Sequence, residues 1–320
     1  MIRHVLAALA VLVAAPGPAA ADYPDKPITL VIPFPPGGST GYTAKVLADA
    51  LEASLKQPVK VEAKTGNFGI NAIQEIRGKT DGYTLMVGSI ITNSMTPVMH
   101  REKLGFDYDK DVVPITKLAS FPSVLMTQPA NPATSVKDAL ARLKSSGQLR
   151  FGTDFPGTYV DVDFIMLGRA GDLKVSIRSA NGAVAILSDL VDGKIDMAML
   201  NVATATANVG KYKPLAVTSA ARLSNFPDVP TMAEAGFPDI GTGNWQGLFA
   251  ARGTPPDVIR TIHAAAVAAM NSARAREEIG KVNAAIVTSE SPEKLAAEIA
   301  AEMAKWQQLV PDVMGLPKEN

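Results

Sequence analysis

The residues best suited to chemistry lie in one short stretch, Pro33-Phe34-Pro35-Pro36-Gly37-Gly38-Ser39-Thr40-Gly41, between a β-branched run and a helical repeat. Glycines leave the backbone bare, so a ligand can approach main-chain N–H groups without meeting a Cβ. Ser39 or Thr40 can cap the helix that follows, whose free amides and positive dipole end favour an anion. Such a turn holds a carboxylate or phosphate without a cationic side chain. The same residues equally suit a plain Gly-Gly turn ahead of a capped helix. Gly37-x-Ser39-x-Gly41 also fits G-x-S-x-G, the nucleophile elbow of serine hydrolases. That reading needs a later acid and a histidine base, and the chain has only His4, His100 and His263. No His-Gly-Gly-type oxyanion loop precedes the elbow. It would also sit on the first strand of the mature chain, with no earlier strands to build the usual sheet.

Other candidate chemistry falls away on spacing or composition. His100, beside Arg101 and Glu102, reads as a surface turn, and His263 as a packed or exposed residue of the helix after Pro256. Asp161 and Asp163, two apart on an expected helix, point to different faces and make no calcium loop. No phosphate-binding G-x-x-x-x-G-K-[ST] occurs, and Gly241 to Gly247 has the wrong spacing for G-x-G-x-x-G. Cysteine is absent, which excludes disulfides, thiolate nucleophiles, iron–sulfur clusters and cysteine-ligated zinc. No cofactor and no metal are expected. Lys+Arg and Asp+Glu are both 31, so nothing marks an electrostatic footprint for nucleic acid.

The elements that must position the glycine turn follow from the pattern of the rest. With 320 residues, 47% hydrophobic, the chain has material for two cored domains. Arg3 and His4, the apolar run Val5 to Ala15 and Ala19-Ala20-Ala21 together read as a secretory signal peptide over residues 1–21. No cysteine at the junction could carry a lipid, so a freely soluble, periplasmic product is expected. Ile28 to Phe34 reads as a strand, and Ala44, Leu47, Leu51 and Leu55 as one face of a helix. The cycle repeats with strands at Val59 to Glu62 and Tyr83 to Val87, turns at Gly66 to Gly69 and Gly88-Ser89, and a helix near Asn93. Further strands are expected at Ser123 to Thr127, Leu149 to Gly152, Val175 to Ile177, Ile195 to Leu200 and Pro214 to Thr218. Helices are expected at Ser135 to Lys144, Tyr159 to Leu167 and Val184 to Val191. Thr231 with Glu234, and Thr254-Pro255-Pro256-Asp257, carry helix-starting chemistry, and Ser291-Pro292 opens a last helix through Trp306. Alternating strands and helices joined by Gly-rich turns imply an α/β fold with a largely parallel sheet.

The polar turns recur after strands: Gly37 to Thr40, Gly66 to Gly69, Gly88 to Asn93, Thr153 to Thr158 and Asn201. Ligands of open α/β sheets bind at the carboxyl ends of strands. Two facing units would form a cleft of backbone N–H groups and small hydroxyls, able to grip an anion but offering no general base.

These residues resemble the periplasmic solute-binding receptors of tripartite tricarboxylate transporters, the Bug or TctC-like receptors. The likeness runs over the mature chain through Tyr23-Pro24-Asp25-Lys26-Pro27-Ile28, the turn Pro33 to Thr40, Asp81-Gly82-Tyr83-Thr84-Leu85, Leu215-Ala216-Val217-Thr218-Ser219, Pro227 to Gly236 and Trp245-Gln246-Gly247-Leu248-Phe249-Ala250. The resemblance implies a two-lobed α/β periplasmic binding protein fold, type II-like, with the ligand cleft between the lobes. It implies a monomeric receptor that hands a small organic acid to membrane subunits. Carried over by position, Phe34, Gly37, Gly38, Ser39 and Thr40 form the first binding turn and Ser89 and Asn93 the second. Thr153 and Thr158 form the facing turn, Asn201 follows a lobe-two strand, and Trp245 is the aromatic at the return crossover. Residues 22–123 and 243–320 would make lobe one and 124–242 lobe two, with two crossings as the hinge. Departures from the family pattern concern the ligand. Gly41 stands in place of the usual Asp, removing a partner for an amino group. Asp154 and Phe155 enter the facing turn, Ala180-Asn181-Gly182 replaces Tyr-Lys-Gly, and Leu200 replaces an Asp. A carboxylate with an aromatic or aliphatic body is therefore expected, and Arg178 either meets a second carboxylate or lies on the surface. A serine hydrolase using Ser39 and a periplasmic ligand sensor are the alternative functions.

Overall fold

The computed structural model describes residues 23–153, 157–180, 182–241, 243–315 and 318–319. The apolar run and cleavage site of residues 1–21, and Asp154, Phe155 and Asn181, lie outside them. Lobe one opens with β1 (Ile28–Ile32), α1 (Ser39–Leu55), β2 (Val59–Ala63), α2 (Ile70–Ile76) and β3 (Thr84–Ser89). A π-helical turn at Ile91–Met95 leads into three short helices, α3 (Thr96–Met99), α4 (Arg101–Leu104) and α5 (Tyr108–Asp111), and then β4 (Val112–Phe121). The chain crosses at Pro122 into β5 (Ser123–Thr127), α6 (Val136–Arg142), β6 (Gln148–Thr153), α7 (Tyr159–Gly171), β7 (Lys174–Ser179), α8 (Ala183–Val191), β8 (Met197–Asn201), α9 (Val202–Ala207) and β9 (Lys213–Val217). It returns as β10 (Asn244–Ala251), α10 (Pro256–Met270), α11 (Ala273–Lys281), β11 (Ala285–Ile286), α12 (Pro292–Met314) and β12 (Lys318–Glu319).

Two six-stranded sheets result, ordered β11-β4-β10-β3-β1-β2 and β12-β7-β6-β8-β5-β9. β1 runs parallel to β2 and β3, and β6 parallel to β7 and β8. In each sheet the strand that arrives from the other lobe, β10 or β5, pairs antiparallel with its neighbours. The two lobes therefore repeat one topology. β1 is buried on both faces: Leu30 and Ile32 pack against α1, α10 and α11, while Val31 packs against α2, α3 and α12. That sandwich explains why β1 reads as a continuous apolar run without alternation.

Several expected boundaries shift for local reasons. β1 ends at Ile32 because Pro33 cannot donate to the ladder. β4 and β10 are not foreseen by periodicity. Pro114 sits inside β4 and is accommodated where its register against β10 shifts between Leu248 and Phe249. Thr231 and Glu234 do make their reciprocal bonds, at 3.1 and 2.8 Å, yet only a turn forms before Gly236. Thr254 caps nothing: its hydroxyl donates to Ala251 O at 2.8 Å and Pro255 occupies the cap of α10. Ser291 caps α12 as expected, though the helix runs on to Met314. The division between sheets differs from the expected one in two places. Ser123 already belongs to the second sheet, and β12, from the chain's last residues, pairs with β7 there and not in lobe one.

Candidate functional site

Strand pairing places the polar turns opposite one another. β10 enters lobe one with Gln246 beside Ser89, at the carboxyl end of β3. β5 enters lobe two with Ser123 beside Asn201, at the carboxyl end of β8. The carboxyl ends of both sets of parallel strands thus meet the same hinge. Ser123 N–H donates to Thr218 Oγ1 at 2.8 Å and Thr218 N–H to Ser123 O at 2.9 Å, extending the β5–β9 ladder to the crossing. Asn244 at the start of β10 pairs with Phe121 at the end of β4, so the two crossings run side by side.

The first turn is open. Phe34 is half-buried, and Pro35, Pro36, Gly37 and Gly38 are exposed. Gly38 occupies the cap of α1 in extended backbone, φ −90° and ψ 177°, with no side chain bonded to the helix amides and no acid in the first turn. This corrects the expectation that Ser39 or Thr40 caps. Both already lie in the helix, and Thr40 is buried. The first amides of a helix have no intrahelical acceptor, so those of α1 stand ready for an anion. Gly41 has a steric role: a Cβ there would sit 2.3 Å from Pro36 O. The Pro35-Pro36 turn folds down against the helix at that point.

The other turns are more self-contained. Ser89 N–H donates to Thr92 Oγ1 at 2.9 Å, and Thr92 donates to Asn93 Oδ1 at 2.6 Å. Asn93 Nδ2 donates to Tyr108 Oη at 2.9 Å, with Asn93 fully buried. Asn93, expected in the binding turn, is therefore committed to the core, tucked beneath Gly88, where a Cβ would come 1.8 Å from its Oδ1. Burial pushes the Tyr108 hydroxyl well above its ordinary pKa. Thr153 ends β6 and is buried. Thr158 caps α7 in a capping box with Asp161, whose carboxylate also accepts from Gly157 N–H and, at 3.3 Å, from Thr158 N–H. Asn201 is exposed and caps α9, its Oδ1 accepting from Thr204 N–H at 2.9 Å. Both residues were expected to face a ligand; both have their polar side chains engaged in holding helix ends.

Trp245 lies on the other side of β10. Successive side chains of a strand alternate faces, and Gln246 reaches Ser39 Oγ at 3.2 Å. Trp245 accordingly points to the opposite face of β10 from Gln246, its Nε1 donating to the Glu302 carboxylate on α12 at 3.1 and 3.2 Å. It is buried with Tyr159, Ile165 and Trp306 and borders a hinge cavity of about 480 Å³. Burial raises the Glu302 pKa, partly opposed by Lys117. Arg178 is not open to a second carboxylate by default: its Nε donates to Asp189 Oδ2 at 2.8 Å. Burial works against ionised Asp189, but the bonds from Arg178 and Lys194 prevail and hold its carboxyl below the usual range. Leu200 is buried in the second lobe's core.

The polar residue bonded to the start of α1 that sequence reasoning passed over is Gln246, fully buried. Its signal was available: one polar side chain within the apolar run Trp-Gln-Gly-Leu-Phe-Ala. Neither described histidine serves Ser39. His263 Nε2 bonds Ser289 O at 3.1 Å, and His100 stacks on Phe68 with ring centroids 3.7 Å apart. Among the described residues no group of His, Asp or Glu is arranged to hold a metal.

The family model for the tripartite tricarboxylate transporter family receptor matches residues 43–315. The chain belongs to that receptor family. BugT of Bordetella pertussis is 29% identical over 317 residues, covering 97% of each chain. Among solved receptors, a Rhodopseudomonas palustris protein with adipate superposes with a TM-score of 0.75 at 25% identity, covering 93% of this chain and 100% of its own. MatC from the same organism, with bound malate, gives 0.71 at 27% identity, covering 90% and 100%. The family receptor has the two-lobed binding-protein fold described above. Its family match begins just after the open Gly38 turn, so that turn stands on its own geometry.

Proposed function

We propose that this family receptor binds a small organic di- or tricarboxylate in the inter-lobe groove and delivers it to the membrane subunits of a tripartite tricarboxylate transporter. The observation that carries this is the uncapped start of α1, where exposed glycines precede helix amides that no side chain and no acid of the first turn engages. Adipate and malate, found with two of the solved relatives, support the ligand class. Half-buried Phe34 beside the turn favours a ligand with an apolar body. Residues 1–21 act as an export signal that brings the receptor to the periplasm. Ligand stabilises the closed lobes to the extent that it binds them more tightly than the open ones. The Ser39 hydroxyl accepts from the Gln246 amide, which supports a binding role for it over a catalytic one.

A thermal-shift screen of residues 22–320 against organic acids tests the reading. At a hundred times Kd a ligand adds about 2.7 kcal/mol of stability. Gly38→Val fits the extended backbone, since a Cβ at Gly38 meets nothing closer than Pro35 O at 4.0 Å. It should keep the apo melting temperature and abolish the shift. A shift that survives in Gly38→Val, or no shift with any acid in the wild type, refutes the proposal.

A further inference from the structure

We propose that Gln246 is a positioning residue that fixes the Ser39 hydroxyl as a hydrogen-bond donor to the bound carboxylate, an inference that rests on the α1 anion seat proposed above. Gln246 is fully buried on β10, three residues past Gly243 of the return crossing and paired in register with Ser89. Its Nε2 donates to Ser39 Oγ at 3.2 Å and to Asn244 Oδ1 at 3.1 Å. Asn244 Oδ1 only accepts, so it holds the N–H end of the amide toward Ser39. A serine hydroxyl carries one proton and two lone pairs. With Gln246 donating into a lone pair, the Ser39 proton must be directed elsewhere. Ser39 is the first residue of α1, beside the uncapped amides and the exposed Gly37 and Gly38. The free O–H therefore adds a side-chain donor to a set of main-chain donors.

The second amide atom argues for the same role. Gln246 Oε1 is buried and has no hydrogen-bond partner among the described residues. An unsatisfied buried carbonyl opposes folding, and an apolar side chain of the same length would remove that cost. The amide is thus kept for what its N–H does to Ser39. Because Gln246 is rooted in the return strand of the hinge, the same contact ties the seat to the segment about which the lobes turn.

The test is a double-mutant cycle on Gln246→Met and Ser39→Ala, with Gln246→Glu as a polarity-reversing variant that keeps the side-chain length. Affinities for adipate, malate and acetate are measured by calorimetry at pH 7, and apo melting temperatures alongside. For the tightest of these probes each single variant should weaken binding about tenfold, the scale of one hydrogen bond to a charged group. The double variant should be no weaker than either single, and apo Gln246→Met should melt no lower than the wild type. Gln246→Glu turns the Ser39 proton toward itself and should bind worst, recovering at lower pH as the carboxylate protonates. Wild-type affinity in Gln246→Met, a double variant weakened by the product of the singles, or Gln246→Glu binding with no pH dependence would overturn the inference. Should Gln246→Met not fold, the pH dependence of Gln246→Glu decides. Failure of every probe on the wild type refutes the seat itself, whereas a wild type that binds beside a silent Gln246→Met refutes only the role of Gln246.

Discussion

The starts of α1 and α7 occupy equivalent places in the two lobes, each following the central parallel strand of its sheet, yet their amides meet opposite fates. At α7, Thr158 and Asp161 close a capping box, and the Asp161 carboxylate also takes the Gly157 and Thr158 N–H groups. At α1 the cap is a glycine, and the first turn contains neither an acid nor a capping side chain. One topology thus yields an internally neutralised helix end and an open one. The difference teaches that withholding a cap leaves a helix start able to serve as the proposed anion seat. A capping carboxylate in the chain occupies the position that a ligand carboxylate would take, and its charge repels a second one.

The sharpest way to break the comparison is to give α1 the kind of cap that α7 has. Gly38→Asp places a carboxylate at the cap of a backbone that accepts it; apo stability should change by only a few tenths of a kcal/mol, since Gly is already a tolerated cap. Ligand binding should fall at least about a hundredfold, the sum of a lost donor set and a like charge in contact. Titration calorimetry with adipate or malate reads this, and unimpaired binding would separate the seat from α1.

Gly41→Ala comes next. In an ordinary helix interior that exchange gains about 1 kcal/mol, but here the new Cβ would lie 2.3 Å from Pro36 O and 2.5 Å from Pro36 Cα. Backbone cannot swing aside as a side chain can. A net loss of about 1–3 kcal/mol is expected, with weakened ligand binding because the turn is pushed out, and urea unfolding measures it. Asp161→Ala probes the other helix end. Losing the cap should cost about 1–2 kcal/mol, with ligand affinity kept within about twofold; a gain in affinity would mean that α7 is a second seat held closed.

The smallest effect concerns the groups behind the hinge. The folded Glu302 carboxyl has a raised pKa, for which burial is the main cause. Folding therefore takes up protons at this site. Its contribution is fully present below the ordinary glutamate range and is lost as pH rises from there through the raised folded value. Glu302→Gln, which can still accept from Trp245 Nε1, should remove that loss and melt about 2 °C higher at pH 7, roughly 1 kcal/mol at this size. Equal melting temperatures at pH 7 would show that Glu302 is comfortable as an anion.

Much of this was legible in the residues. The β1 run, the glycine turn, the α1 face of Ala44, Leu47 and Leu51, and the alternation of strands and helices follow from local pattern, and the family likeness follows from ordered motifs. β4 and β10 were not legible, because Pro114 interrupts one and the other carries no alternation once both its faces are buried. The polar turns were identified as a class, but their division was hidden. Thr158, Asn201 and Asn93 have the same residue types as a binding surface and serve as cap, cap and core bridge.

By itself the sequence determined that a two-lobed α/β receptor would form and that its strand ends would carry small polar residues, since periodicity and turn chemistry act within a few residues. Only the tertiary structure decided which of those residues are engaged in holding the fold and which are left open. A polar group bonds whatever partner folding brings near, and partners such as Tyr108 for Asn93, Glu302 for Trp245 and Gln246 for Ser39 arrive from 15, 57 and 207 residues away.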